Sequence, residues 1–92
     1  MVTVKKGNNC FYVGDSEARP QAILTYVSKD SHTVIAEHTF VSDELRGQHI
    51  AQLLLKQLVD WARTEHKKIV PVCSFVQSEI QRKKEYSDIL AK

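Results

Sequence analysis

The sequence is poor in the residues that small secreted and membrane proteins depend on. Its 92 residues include only two cysteines, three glycines, two prolines and one tryptophan. Secreted domains of this size are usually held together by several cysteine pairs, so we expect Cys10 and Cys73 to be reduced thiols. No apolar run approaches the roughly 20 residues of a membrane span, and the first residues lack the apolar stretch of a signal peptide. These absences predict a cytoplasmic protein.

A strong charge of one sign is also missing. Thirteen lysines and arginines face eleven acidic residues, which leaves a net charge of +2, too small by itself to indicate a nucleic-acid partner. The cysteine and histidine spacings match no zinc site, so we expect no metal. Hydrophobic residues make up 42% and charged residues 26% of the chain, as in ordinary globular proteins. We predict one domain over residues 1–92, with residues 1–8 loose.

Four segments rich in β-branched and aromatic residues are predicted to be strands. They are Cys10–Val13, Gln21–Ser28, Thr33–Val41 and Ile69–Cys73. The second and third are joined closely enough to form an antiparallel hairpin, whereas a helical segment separates the third from the fourth and favours a parallel crossover. Pro71 has no N–H to donate, so it fits an edge or a place where two strands have splayed apart.

Helical periodicity follows the third strand. Apolar residues recur at three- and four-residue steps from Gln48 to His66, namely at Ile50, Leu53, Leu54, Leu55, Leu58, Val59, Trp61 and Ala62. A shorter helix is predicted over Gln77–Lys84 and a final turn over Tyr86–Leu90. The expected fold is α/β (α+β) in the order β-β-β-α-β-α, with a mostly antiparallel four-stranded sheet, one long helix and one short helix.

The segment from Val41 to Ala51 joins the end of a strand to the start of the long helix. The first turn of a helix has N–H groups without partners inside the helix, and these can bind a phosphate. Arg46 adds a planar, charged donor, and Gly47 lets the backbone approach a ligand closely. On spacing alone, the commoner interpretation is that Arg46-Gly47 merely begins a helix.

The stretch Arg46-Gly47-Gln48-His49-Ile50-Ala51 resembles the acetyl-CoA signature Arg/Gln-x-x-Gly-x-Gly/Ala of the GNAT (GCN5-related N-acetyltransferase) superfamily. Arg46 matches its first position and Ala51 its last, whereas His49 stands at the middle glycine. Three further segments resemble the small stand-alone members of that superfamily: His38–Val41, Ile69–Val76 and Glu85–Leu90.

This resemblance implies a minimal GNAT-like fold that binds acetyl-CoA or free coenzyme A and moves the acetyl group to an amine that the sequence does not identify. The pantetheine arm would lie between two splayed parallel strands, Thr33–Val41 and Ile69–Cys73. The implied cofactor-binding residues are Val41, Arg46, Gly47, Gln48, His49, Ile50, Ala51 and Ser74.

Two residues are candidates for the reacting groups. Cys73 ends a predicted strand just before a helix, where a thiolate is favoured, although most free cysteines are small buried hydrophobes. Strand alternation places His38 on one face with Val34, Ala36 and Phe40, and a histidine can take a proton from an amine or a thiol. A hydrogen-bonded structural histidine is as good an explanation. Proteins that the chain resembles carry both residues, so direct transfer with His38 as base and a covalent route through Cys73 both stay open.

Two other functions remain as alternatives. A coenzyme A-binding module without transferase activity would use the same phosphate site. A small nucleic-acid-binding domain would use the basic clusters Lys67-Lys68 and Arg82-Lys83-Lys84, although the sequence lacks the exposed aromatics that usually stack on bases.

Overall fold

A computed structural model gives the fold of residues 3–16 and 18–91. It has one sheet of five strands in the order β1-β2-β3-β4-β5. The first four strands are antiparallel neighbours and the last pair is parallel. The strands are β1 Lys5–Gly7, β2 Cys10–Val13, β3 Ala22–Asp30, β4 Thr33–Val41 and β5 Lys68–Pro71. The helices are α1 Ile50–Thr64 and α2 Ser74–Arg82, with 3₁₀ turns at Asp43–Leu45 and Lys84–Tyr86. The predicted fold class is confirmed.

The predicted strand number was one too low, because β1 falls in the segment expected to be loose. Asn9 adopts a left-handed φ of 61° and lets the chain turn back, so that Lys6 pairs with Phe11. The Lys6 ammonium lies 5.1 Å from the centre of the Trp61 ring, which adds a cation–π attraction. The strand is thus held by pairing and by one cation, neither of which leaves an apolar pattern in the sequence. Residues 1 and 2 of the loose segment lie outside the described residues.

The core lies between one face of the sheet and the two helices. Helix α1 packs on β2, β3, β4 and β5, and α2 adds Val76 and Ile80 to the same cluster. The sheet contributes Leu24, Val34 and Ala36, all of them fully buried. Residues on the other face of the sheet, including Ile23, Val27, Ile35 and Val70, are only half-buried.

Several predicted element boundaries shift by one to three residues. Helix α1 begins at Ile50 and not at Gln48, because His49 is left-handed, with φ 59°. Strand β5 stops at Pro71 and not at Cys73, since the Val72 and Cys73 N–H groups both turn to the Ala36 carbonyl, at 3.1 and 3.0 Å. Helix α2 begins at Ser74, three residues earlier than predicted.

A β-bulge in β4 overturns the predicted face of His38. In the β3–β4 register, Thr25 opposes His38 while Tyr26 opposes Ala36, so Glu37 is an extra residue. One inserted residue exchanges the two faces of everything that follows it. His38 therefore does not share a face with Val34 and Ala36; it lies on the opposite face and is exposed.

The chain end covers the outer edge of β5. Leu90 forms a parallel bridge with Ile69, whose N–H donates to the Ile89 carbonyl at 2.8 Å. Arg63 of α1 fastens this segment through Asp88, with 2.8 Å between Nη2 and Oδ1. Among the residues described, no helix combines the length and the apolar character that crossing a membrane requires.

Neighbouring leucines of α1 test this packing. Leu54 is fully buried, whereas Leu53, which the periodicity had placed on the buried stripe, is 40% exposed. We expect Leu54→Ala to lower the free energy of unfolding by about 2–5 kcal/mol, because it leaves a cavity. Leu53→Ala should cost less than about 1 kcal/mol. Urea denaturation followed by circular dichroism measures both, and equal losses would contradict the packing.

Candidate cofactor and acyl-transfer site

The parallel pairing of β4 and β5 ends early and opens a gap in the sheet. The last pair in register is Ala36 with Pro71. Beyond it, β4 continues to Val41 while β5 stops. Pro71 lacks the N–H that would extend the ladder. The last five residues of β4 therefore border a gap, as expected of splayed strands.

Two bonds fix the direction in which the β4 backbone faces along this gap. The Ala36 carbonyl accepts from the start of the α2 segment, and the Ser42 N–H donates to Gln21 beside β3 at 2.8 Å. Backbone groups of successive strand residues point to alternate sides. Because Ser42 faces β3, alternation places Phe40 and His38 toward β3 as well. The N–H and C=O groups of Val41 and Thr39 therefore face the gap. An extended amide chain placed there would find backbone donors and acceptors to pair with.

A cleft lies between the end of β4 and the first turn of α1. It has a volume of about 230 Å³ and is lined by Val41, Leu45, Arg46, Gly47, His49, Ile50, Ala51 and Gln52. His49 caps α1 without a side-chain hydrogen bond to the first turn, so the helix N–H groups are available to an anion. The partial positive charge of the helix N-terminus adds to their attraction for a phosphate.

Arg46 supplies the full positive charge of this cleft. Its Nε lies 3.2 Å from Asp43 Oδ1, and both side chains are largely exposed, at 71% and 92%. An exposed ion pair of this kind contributes little stability, so it would yield readily to a doubly charged ligand. The guanidinium can turn its remaining donors to phosphate oxygens.

The residues predicted to hold the cofactor are divided between three places. Val41, Arg46, Gly47, His49, Ile50 and Ala51 line the cleft. Gln48 does not; its Nε2 donates to the Glu44 carbonyl at 3.4 Å. Ser74 is the first residue of α2, across the gap from β4. Gly47 has a φ of 85°, a conformation that favours glycine, and a Cβ there would meet no described protein atom within 4 Å.

Cys73 lies at the point where the two strands part. It is the N-cap of α2 and is half-buried. Its Sγ is 3.4 Å from Thr39 Oγ1 across the gap. Burial raises the pKa of the thiol, but hydrogen bonds from Thr39 and from the first N–H groups of α2 lower it, so the pKa of Cys73 lies below its ordinary value. A larger thiolate fraction means a better nucleophile at neutral pH.

The structure therefore brings Cys73 to Thr39 and not to His38. Thr39 pairs with the buried Leu24, whereas His38 pairs with Thr25 on the exposed face. The hydrogen bonds found among residues 3–16 and 18–91 include none between His38 and Cys73. Sequence analysis missed Thr39 because plain alternation assigns it to the wrong face. The one signal that could have indicated the shift is the polar Glu37 inside a β-branched strand, and that signal is weak.

Comparison with known proteins decides the family. The family model for GCN5-related N-acetyltransferases matches residues 10–89. The chain belongs to the GCN5-related N-acetyltransferase family. No curated protein matches it in sequence.

Solved structures agree with this assignment. A GCN5-like protein of Staphylococcus aureus, provisionally assigned as an N-acetyltransferase, is 38% identical over 97% of this chain and 87% of its own, with a TM-score of 0.82. A GNAT family acetyltransferase of Elizabethkingia anophelis, solved with acetyl-CoA bound, shares 17% identity over 79% of this chain and 50% of its own, with a TM-score of 0.58. A ribosomal-protein-alanine N-acetyltransferase of Brucella melitensis biovar Abortus shares 18% over 91% and 64%, with a TM-score of 0.53. The last two are similar in fold only.

Family membership gives the left-handed conformation of His49 a clear meaning. The signature has glycine at this place, and the backbone here has φ 59° and ψ 32°, which favours glycine. His49 thus has a backbone conformation that suits the glycine of the signature, and the residue lines the cleft.

Substitution of His49 tests this conformation. We expect His49→Val to be less stable than His49→Gly by about 1–2 kcal/mol, because a β-branched residue is strained at positive φ. At Lys56, inside α1, the order of stability should be reversed: Lys56→Gly should be less stable than Lys56→Val, since glycine is the poorer helix former. Chemical denaturation gives all four values. Valine and glycine being equally tolerated at position 49 would show that the backbone is not left-handed.

Proposed function

We propose that this protein binds acetyl-CoA and transfers its acetyl group to an amine. One observation carries the proposal: the β4 backbone beyond Ala36 is left without a β5 partner beside a cationic cleft at the start of α1. A carrier with a diphosphate at one end and an amide-rich arm at the other matches both features at once.

The binding mode follows from the direction of these groups. The diphosphate would accept from the first N–H groups of α1 and from Arg46. The pantetheine arm would lie along β4 and pair with the backbone of Thr39 and Val41. Cys73 lies 3.4 Å from Thr39, measured between Sγ and Oγ1, so the thioester would come to lie near the sulfur of Cys73, with Ser74 following it as the first residue of α2. The N–H groups around that point would stabilise negative charge on the carbonyl oxygen.

The position of Cys73 favours a covalent route. Its thiolate attacks the acetyl carbon, an S–C bond forms, and the bond to the coenzyme A sulfur breaks; coenzyme A leaves as a thiolate and takes up a proton. The amine then attacks the acetyl group on Cys73, loses a proton, and releases the thiolate of Cys73. Both steps balance without any further reactant.

His38 is proposed as the group that takes the amine proton, directly or through a water molecule. It is the residue next to Thr39 but faces the open side of the sheet, where an acceptor can approach without displacing the helices. Direct attack of the amine on bound acetyl-CoA, with His38 as base, remains the competing route. We propose the cytoplasm as the site of action, where thiols stay reduced.

Charge reversal at Arg46 tests cofactor binding. We expect Arg46→Glu to raise the dissociation constant for coenzyme A at least about tenfold, because it loses a charge-assisted contact and adds a like charge. Lys29→Glu makes the same change of charge at the far end of the β3–β4 hairpin and should change the constant less than about twofold. Isothermal titration calorimetry measures both, and equal effects of the two variants would rule out the cleft.

Mass spectrometry separates the two routes. After incubation with acetyl-CoA, the wild type should carry one acetyl group on Cys73, and Cys73→Ser should carry none while still binding coenzyme A. His38→Ala should still form the adduct, but its rate of acetyl transfer to amines should fall at least about 10²-fold. Transfer by Cys73→Ser at the wild-type rate would favour the direct route. Binding without adduct or transfer in the wild type would support a coenzyme A-binding module.

A further inference from the structure

The contact between Thr39 and Cys73 joins β4 to the start of α2, one step beyond the Ala36 carbonyl that accepts from the Val72 and Cys73 N–H groups. Thr39 Oγ1 lies 3.4 Å from Cys73 Sγ, and the pair is partly buried. The backbone N–H groups of Phe75 and Val76 in the first turn of α2 also lower the pKa of the thiol. Groups on both sides of the gap thus favour the thiolate of Cys73.

We propose that Thr39 is a positioning residue for Cys73: its hydroxyl holds the sulfur at the point where β4 and β5 part, facing the space in which a thioester would lie. The inference rests on the role proposed above for Cys73. The hydroxyl of Thr39 forms no bond to the substrate in this scheme and takes up no proton.

The bulge at Glu37 is what selects this partner. Without the extra residue, strand alternation would turn His38 toward the helix side of the sheet and Thr39 away from it. With it, Thr39 shares a face with Ala36 and Val41, on the side where α2 begins. The cysteine is therefore given a hydroxyl, which donates to a thiolate without competing for its proton, in place of an imidazole.

Threonine suits this task better than other hydroxyl residues. Its branched Cβ restricts χ1 in a strand, so the oxygen is held in a narrow range of positions. Either the hydroxyl or the thiol can be the donor while the sulfur is protonated, but only the hydroxyl can donate once the proton has left. The contact is therefore stronger in the nucleophilic form of Cys73.

Charged groups near the sulfur do not supply this effect. On β4, Glu37 and His38 precede Thr39, and His38 is exposed on the opposite face. On α2, the carboxylate of Glu79 is paired with Arg82 and Lys83. The groups that lower the pKa of Cys73 are hydrogen-bond donors, acting against burial.

The pH profile of Cys73 alkylation tests the proposal without any cofactor. Iodoacetamide labelling of the apoprotein, read at the Cys73 peptide by mass spectrometry, gives the rate at each pH. Thr39→Val should react about tenfold more slowly at pH 7, with its midpoint moved to higher pH, because one donor to a charged sulfur is lost. Thr39→Ser keeps the hydroxyl and should stay within about threefold of the wild type.

Two controls keep the result decisive. Urea denaturation shows whether each variant is folded, and Thr39→Ala serves as a second variant without the hydroxyl should valine disturb the strand. If Thr39→Val and Thr39→Ala both showed the alkylation profile of the wild type, Thr39 would not be a positioning residue for Cys73. Failure of the wild type to bind coenzyme A would instead refute the proposed function and leave the Thr39–Cys73 result standing.

Discussion

The early end of the β4–β5 ladder is the constraint on which the rest of the structure depends. A sheet whose strands paired to their ends would have no free backbone beyond Ala36 and no space for a ligand between the strands. Pro71 has no N–H to donate to the ladder, and the Val72 and Cys73 N–H groups both donate to the Ala36 carbonyl. The same turn that ends β5 begins α2, and so it sets Cys73 against β4. One local irregularity thus creates the gap and places a thiol in it.

Bulge and gap act together. The bulge at Glu37 lies next to the last β4–β5 pair, so β4 changes its face just where it loses its neighbour. Thr39 and Val41 then combine inward side chains with backbone groups that face the gap, while the side chains of His38 and Phe40 lie on the opposite, exposed face. The cleft at α1 continues this line, since Val41 belongs to its wall. Phosphate, amide arm and acyl group would each meet a different part of one continuous stretch, from Thr39 to Ala51.

The sequence predicted those parts that local patterns determine. The periodicity from Ile50 to Ala62 identified α1, and Pro71 indicated the splayed strands. Two features escaped because they depend on contacts distant in sequence. Strand β1 is held by pairing with β2 and by Lys6 over the Trp61 ring, and the face of His38 depends on how β4 lies against β3. The extra residue leaves only a weak signal in the sequence, the polar Glu37, yet it places a threonine instead of a histidine beside Cys73.

Residue-resolved hydrogen exchange of the Val41 amide tests the central claim most directly. We expect this amide to exchange readily in the free protein, because it faces the gap, and at least about tenfold more slowly when coenzyme A is bound. The His38 amide, which faces β3, should change little and serves as an internal reference. Protection of the Val41 amide in the absence of coenzyme A, or an unchanged rate at saturation, would contradict the account.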